Sequence, residues 1–401
     1  MAQSGLTTSG IARLHRVLSG HIEHGDLPGL VALIARNDDV HVETLGTLSF
    51  GPSAPMTRDT IFRIASLTKP VAAVTAMILI DECAMRLDDS IEAWIPEMAN
   101  RKVLKSISSP LDETVPANRA ITVRDVLTYR IGFGSVMGLP GRYPIQKAIA
   151  ELHIGGDGPP HPSLDPPTDE WIKRLGSLPL MAQPGERWMY QVSGDLLGVL
   201  IARVSGKSLG AFMRERIFEP LGMKDTAFHV ETAKLDRLPT CYAFNWQTKS
   251  FDIYDGVSNS EWIPEPKFET AGGGLLSTLD DYFAFCKMML NKGRHGRDRI
   301  VSRVAVETMT ADQLTPANRA GSDIFFGGHS SWGFGMCVDI HRDQIYRTPG
   351  RFGWDGGTGT SAYTDPAEGL IGILLTQRMM DSPDPPRVFT DFWTTAYAAM
   401  E

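Results

Sequence analysis

The chain reads as an α+β protein, with one antiparallel sheet built from both chain ends, flanked by helices, and a mostly helical domain inserted between them. Three observations predict this. An amphipathic helix and a two-strand hairpin open the sequence, strand-like runs and a last helix close it, and from about residue 82 to about residue 225 short helical patterns replace the strand signals. The expected division puts residues 1–81 together with 226–401 in the sheet domain and residues 82–225 in the helical domain, with the candidate active site between the two.

Taken in order, Ile11, Leu14, Val17, Leu18 and Ile22 recur at helical spacing and predict a first helix that stops before Gly25 and Pro28. Leu30 to Ala35 is apolar enough for a buried strand, Asn37-Asp38-Asp39 reads as a turn, and Val40 to Leu45 reads as the returning strand. After Ile61 to Ile64, the apolar run Val71 to Ile80 predicts a buried helix. Thr122 caps a helix predicted to reach Tyr129. Gly155 to Pro167 is too rich in proline and glycine for a regular element and reads as a surface loop or lid. Further helices are expected over Gly194 to Val204, Leu209 to Ile217, Asp280 to Leu290 and Val304 to Met309. Strand-like runs lie near Trp332 to Ile340, Gly353, Ser361 to Thr364 and Leu370 to Thr376, and Val388 to Met400 is the final helix.

With 42% hydrophobic and 21% charged residues, the 401-residue chain can fill a large core. A formal net charge of -8, with no basic run, argues against nucleic acid as a partner. No apolar stretch reaches the roughly 18 to 20 residues of a membrane span, so no membrane partner is expected. Met1 to Thr8 lacks the basic and apolar regions of a secretory signal, which makes a cytoplasmic location the expectation. Cys83, Cys241, Cys286 and Cys337 have neither disulfide-frame nor zinc spacing and read as buried free thiols. His21, Glu23 and His24 lack ligand spacing on an exposed-looking helix and read as surface residues, so no metal or other cofactor is indicated.

The stretch that carries chemistry is Ser66-Leu67-Thr68-Lys69, which places a hydroxyl and an amine on one face where a helix should begin. Backbone N–H groups are free in a first helical turn, and Pro70 is tolerated there because it needs no intrahelical bond. A serine alone is a poor nucleophile at neutral pH, and a lysine kept neutral by burial supplies the missing base. Two downstream segments offer partners. Tyr190, in a turn just before a helix, can relay protons between nucleophile and leaving group. Phe352 to Thr360 stands just before a predicted edge strand, where glycines let backbone N–H groups approach a ligand.

With these three segments in view, the chain resembles the serine β-lactamase and penicillin-binding-protein superfamily, specifically the class C-like branch that includes family VIII carboxylesterases, over roughly residues 10 to 380. Ile121 to Thr128, Phe218 to Met223 and Gly272 to Thr278 look like further family segments in the expected order. The resemblance implies a β-lactamase/transpeptidase-like fold, Ser66 as acylated nucleophile, Lys69 and Tyr190 as the proton-transfer pair, and the N–H groups of Ser66 and Gly357 as the oxyanion hole. Two departures bear on substrate. Where β-lactamases of this branch carry Tyr-x-Asn, this chain has Tyr190-Gln191-Val192, and where they carry Lys-Thr-Gly it has Trp354-Asp355-Gly356. Val192, Trp354, Asp355 and Gly356 are therefore the expected substrate-binding positions, and an indole with an aspartate in place of a cation disfavours substrate carboxylates.

The expected activity is a carboxylesterase acting on a small-molecule ester, neutral and short in its acyl chain. Acyl transfer through the same acyl-enzyme comes second, and D-amino-acid amidase or weak class C-like β-lactamase activity third. Outside the enzymes stands a silent ligand-binding relative, against which the retained Lys69 and Tyr190 argue. Gly206-Lys207-Ser208-Leu209-Gly210 matches a nucleophile elbow, but it lies between two predicted helices rather than after a strand, so Ser208 reads as a helix cap. The same stretch lacks the first glycine of a Walker A loop.

Overall fold

The computed structural model describes residues 5–155, 158 and 160–400. It opens with helix α1 (Thr8–Glu23) and the hairpin β1 (Gly29–Arg36) and β2 (Asp39–Gly46). Thr7 caps α1 by accepting from the Gly10 N–H at 3.0 Å, and Gly25, with φ of +73°, turns the chain away after it. A two-residue strand β3 (Phe62–Arg63) and a 3₁₀ turn at Ala65–Leu67 lead into α2 (Thr68–Asp81). Every residue from Thr68 to Leu79 is buried, so α2 is apolar on all sides rather than on one stripe.

The middle of the chain contains the short pair β4 (Lys102–Leu104) and β5 (Thr114–Pro116), then α3 (Val123–Leu127), α4 (Pro144–Leu152), α5 (Thr168–Ser177), α6 (Val192–Ser205) and α7 (Leu209–Met213). Thr122 and Asp125 form a reciprocal capping box on α3, and Ser208 caps α7. A π-helical turn at Arg214–Phe218 joins α7 to α8 (Glu219–Leu221). The described part of the segment from Gly155 to Pro167 is irregular; residues 156, 157 and 159 of that predicted loop lie outside the described residues.

The remainder returns to the sheet. After the hairpin β6 (Cys241–Asn245) and β7 (Ser250–Asp255) come β8 (Leu276–Ser277), α9 (Leu279–Leu290), the small hairpin β9 (Arg294–His295) and β10 (Asp298–Arg299), and the helices α10 (Arg303–Met309), α11 (Pro316–Arg319) and α12 (Asp323–Phe326). The chain ends with β11 (Ser330–Trp332), β12 (Cys337–Asp339), β13 (Phe352–Gly356), β14 (Thr360–Asp365), β15 (Leu370–Thr376) and α13 (Arg387–Tyr397). The main sheet is antiparallel with seven strands in the order β11-β12-β13-β14-β15-β1-β2, so the first hairpin docks on the last strand, Leu30 opposite Thr376 and Arg36 opposite Leu370. All eight residues of β1 are buried because α1 and α13 pack together on one side of the sheet while α9 packs against β1, β14 and β15. One cluster of buried apolar side chains runs through both the sheet and the helical region, where α2 packs against α6. Among the described residues no single helix is long and apolar enough to cross a membrane.

Several expectations are corrected. The run Trp332 to Ile340 is two strands, because Gly335, with φ of +70°, helps turn the chain between them. The strand after the glycine-rich segment is not an edge: Phe352–Gly356 forms a strand of its own, so β14 lies between β13 and β15. The region from residue 82 to 225 does contain strands, β4 and β5. His21 is buried, bridging Asp26 at 2.7 Å and Asp391 of α13 at 3.1 Å, since α13 covers that face of α1. Cys83 is exposed, while the other three cysteines are buried, and all four are free.

The chain segment just before Ser66 is anchored by a buried ion pair, Arg63 with Asp255, whose guanidinium also donates to the Pro239 carbonyl at 2.7 Å. Removing the carboxylate leaves a buried cation without its counter-charge. Asp255→Ala is expected to lower the free energy of unfolding by about 3–5 kcal/mol, measured by urea denaturation; an unchanged midpoint would show that the pair holds nothing in place.

Candidate active site

The 3₁₀ turn before α2 carries Ser66, and α2 carries Lys69 one turn on, so hydroxyl and amine face the same way. The Lys69 Nζ lies 2.8 Å from the Ser66 Oγ. Tyr190 arrives from the turn before α6, and its OH donates to the same Oγ at 2.9 Å. Trp354 of β13 donates its Nε1–H to the Tyr190 OH at 2.8 Å. Tyr190 is held by further rings, with Trp188 at 5.7 Å and Phe325 at 4.9 Å between centroids.

Two carbonyl oxygens hold the amine from the other side, Gln191 Oε1 at 2.9 Å and the Gly272 backbone oxygen in a shorter contact. A neutral lysine has two N–H groups and one lone pair. With both N–H groups given to these carbonyls, the lone pair is left for the Ser66 hydroxyl. The hydrogen bonds then run in one direction, from indole N–H to phenol, from phenol to serine, and from serine to amine. Behind the amine, the Asp195 carboxylate accepts from the Gly272 N–H at 3.0 Å and from the Gln191 Nε2 at 3.4 Å, which orients both carbonyls toward Lys69.

Burial sets the protonation states. Lys69 is 1% exposed, and desolvation pushes its pKa down to about 7, against the opposing pull of Asp195. The Asp195 carboxyl is pushed up by the same burial, with Lys69 drawing it back. Burial likewise raises Tyr190 to about 12, opposed by its hydrogen bonds with Ser66 and Trp354. A neutral amine beside a protonated phenol can take one proton and give another.

The turn after β13 brings Gly357 to this group. The Thr358 hydroxyl bonds the Arg63 carbonyl, and the Thr360 hydroxyl bonds the Ile64 carbonyl at 3.1 Å, so the turn is fastened to the chain directly before Ser66. A Cβ on Gly356 would lie 2.4 Å from the Ile64 oxygen, which makes glycine necessary for that approach. Among the described residues neither the Ser66 N–H nor the Gly357 N–H has a hydrogen-bond partner, and both residues line a cavity of about 840 Å³. These two groups can receive an oxyanion.

The other predicted positions divide. Trp354 lines the cavity, with its N–H committed to Tyr190. Asp355 also lines it, but its carboxyl accepts from Ser361 at 2.5 Å and Tyr363 at 3.3 Å. Gly356 packs under the nucleophile turn, and Val192 is buried in α6; neither is among the lining residues. The residue that reaches Lys69 is Gln191, one position earlier, turned inward by a backbone φ of +74°. Gln191, Asp195 and Gly272 were not anticipated, although the four-residue spacing of Gln191 and Asp195 on a helix start was a visible signal. Among the described residues no group of three or more His, Cys, Asp or Glu side chains could hold a metal.

A protein-family model described as Beta-lactamase matches residues 14–390. Protein Rv1367c of Mycobacterium tuberculosis is 35% identical over 368 residues, covering 89% of this chain and 87% of its own. Esterase EstB of Burkholderia gladioli is 28% identical over 395 residues, covering 94% of this chain and 92% of its own. Among solved structures, that of EstCE1, a hydrolase with promiscuous acyltransferase activity, superposes with a TM-score of 0.81 at 21% identity, over 97% of this chain and 99% of that one. This last likeness concerns the fold alone.

A base must be neutral to accept a proton, so activity is expected to rise with pH through a single limb at about 7, the value to which burial pushes Lys69. Asp195→Asn removes the negative charge that favours the ammonium and should move that limb to lower pH. The pH dependence of kcat/KM for wild type and variant measures both, and an unmoved limb would show that Asp195 does not act on the amine.

Proposed function

We propose, on the premise that the chain belongs to the Beta-lactamase family, that it is a serine hydrolase working through an acyl-enzyme and that its substrates are neutral carboxylic esters. The observation that carries the reading is the convergence of the Lys69 amine and the Tyr190 phenol on one serine oxygen, with the amine's remaining side filled by two carbonyls. Ser66 Oγ attacks the ester carbonyl carbon as its proton passes to Lys69. The oxyanion is received by the Ser66 and Gly357 N–H groups. The C–O bond to the alcohol then breaks, and the departing oxygen takes a proton from Tyr190, which is resupplied from Lys69. Water attacks the acyl-enzyme by the same route in reverse, releasing the acid and returning the proton to Ser66.

Trp354 has a defined part in this scheme. As oxygen charge builds on the phenol, the indole N–H is already aimed at it, so it stabilises the form that has lent its proton.

The preference for neutral esters rests on charge. Seven aspartates and two arginines line the cavity, and no lysine stands where a carboxylate-binding cation would. A β-lactam or a D-Ala-D-Ala peptide brings a carboxylate into that field and is repelled. The name of Esterase EstB agrees with ester chemistry.

p-Nitrophenyl acetate and butyrate are expected to be hydrolysed and nitrocefin to be spared; rapid nitrocefin turnover with inert esters would overturn the reading. Ser66→Ala should abolish both hydrolysis and fluorophosphonate labelling, whereas Ser208→Ala, at a helix cap, should not. Tyr190→Phe is expected to reduce kcat by roughly 10²–10⁴-fold, and Trp354→Phe, which keeps an aromatic ring but loses the indole N–H, by about tenfold. Wild-type kcat in Trp354→Phe would remove the indole from the proton path.

A further inference from the structure

Beside exposed Asp323, Asp381 and Asp384, part of the exposed lining of the catalytic cavity is apolar in a way that folding does not require. Single exposed hydrophobic residues are ordinary on a protein surface. Here Met137, Leu164 and Ile324 are 43%, 60% and 44% exposed and come from three segments far apart in sequence, yet all three line the same cavity as Ser66. Apolar side chains lead from this rim toward the chemistry along one part of a mixed lining. Ile324 is followed by Phe325, whose ring stands 4.9 Å from that of Tyr190, and Tyr190 in turn reaches Ser66. On another wall Trp171 and Phe268 lie 4.8 Å apart, and both also line the cavity.

A short acyl group bound to Ser66 would fill little of a cavity of about 840 Å³ and would leave the rim in water. That volume lies toward the upper end of small-ligand pockets, roughly 300–1,000 Å³. The aspartate-rich lining disfavours an anionic end group, and the apolar part of the wall favours a hydrocarbon one.

We infer that the site takes esters with a medium or long hydrocarbon chain, of about eight to twelve carbons, which runs from the acylated Ser66 past Tyr190 and Phe325 to a binding rim formed by Met137, Leu164 and Ile324. This rests on the ester-hydrolase reading and replaces the short-chain expectation.

Each methylene fully buried from water is worth up to about a fourfold gain in binding. For wild type, kcat/KM on p-nitrophenyl esters, each below its micellar concentration, should therefore rise by at least about tenfold from butyrate to decanoate. In Met137→Ser/Leu164→Ser/Ile324→Ser the ratio of decanoate to acetate kcat/KM should fall by about tenfold or more, through KM, with the thermal midpoint reporting that the variant is folded. The uncharged ketone 2-dodecanone, followed by tryptophan fluorescence, should bind wild type and bind the triple variant about tenfold more weakly. A wild-type optimum at acetate or butyrate, or ketone binding that the rim substitutions leave unchanged, would overturn the inference. Ketone binding that depends on the rim, in a protein that hydrolyses no ester, would uphold the chain site and overturn the hydrolase reading instead.

Discussion

The arrangement depends on how one amine is held. Lys69 is buried beneath Ser66 with two carbonyl oxygens on its far side, and its place over the Tyr190 ring, 4.6 Å from the centroid, leaves few directions for its third position. Water would make such an amine an ammonium ion. Burial brings the neutral form within reach near neutral pH, and the two acceptors match its two N–H groups. The lone pair then has one place to point.

Much of the surrounding structure maintains this geometry. The burial of α2 on all sides and its packing against α6 place Lys69 in the core and bring the turn containing Tyr190 and Gln191 beside it. Ala65 and Gln191 both adopt positive φ, at +42° and +74°, conformations that side chains other than glycine rarely take. Both sit next to residues of the site, Ala65 before Ser66 and Gln191 after Tyr190, where strain is tolerated because the packing around it decides the backbone. The β13 to β14 turn is fastened to the Arg63 and Ile64 carbonyls, which ties the sheet to the nucleophile turn.

Residue patterns made the ends of the chain legible. The 3.6-residue spacing in α1 and the apolar run of β1 follow from burial against a single sheet, and both are local signals. The helix carrying Lys69 and the capped helix after Thr122 were readable for the same reason. The order of the seven strands was not, since the docking of β1 on β15 is a pairing across more than three hundred residues that no local pattern encodes. In the site, Ser66, Lys69 and Tyr190 carry distinctive side-chain chemistry, and the structure brings their reactive atoms together. The reach of Gln191 to the lysine is not legible in the sequence, where the family pattern points to position 192; only the positive φ at Gln191 shows that the amide reaching the lysine comes from its neighbour. The burial of His21 is not legible locally because its cover, α13, comes from the other end of the chain.

The central claim is that burial makes Lys69 give up its proton near neutral pH. It is tested most directly by NMR titration of the lysine ε-carbons in ¹³C-labelled protein, with the Lys69 signal assigned by its loss in Lys69→Met. The account predicts a midpoint at about 7, set apart from every other lysine. A Lys69 signal that titrates with the rest near the ordinary lysine value of about 10.4 would contradict it.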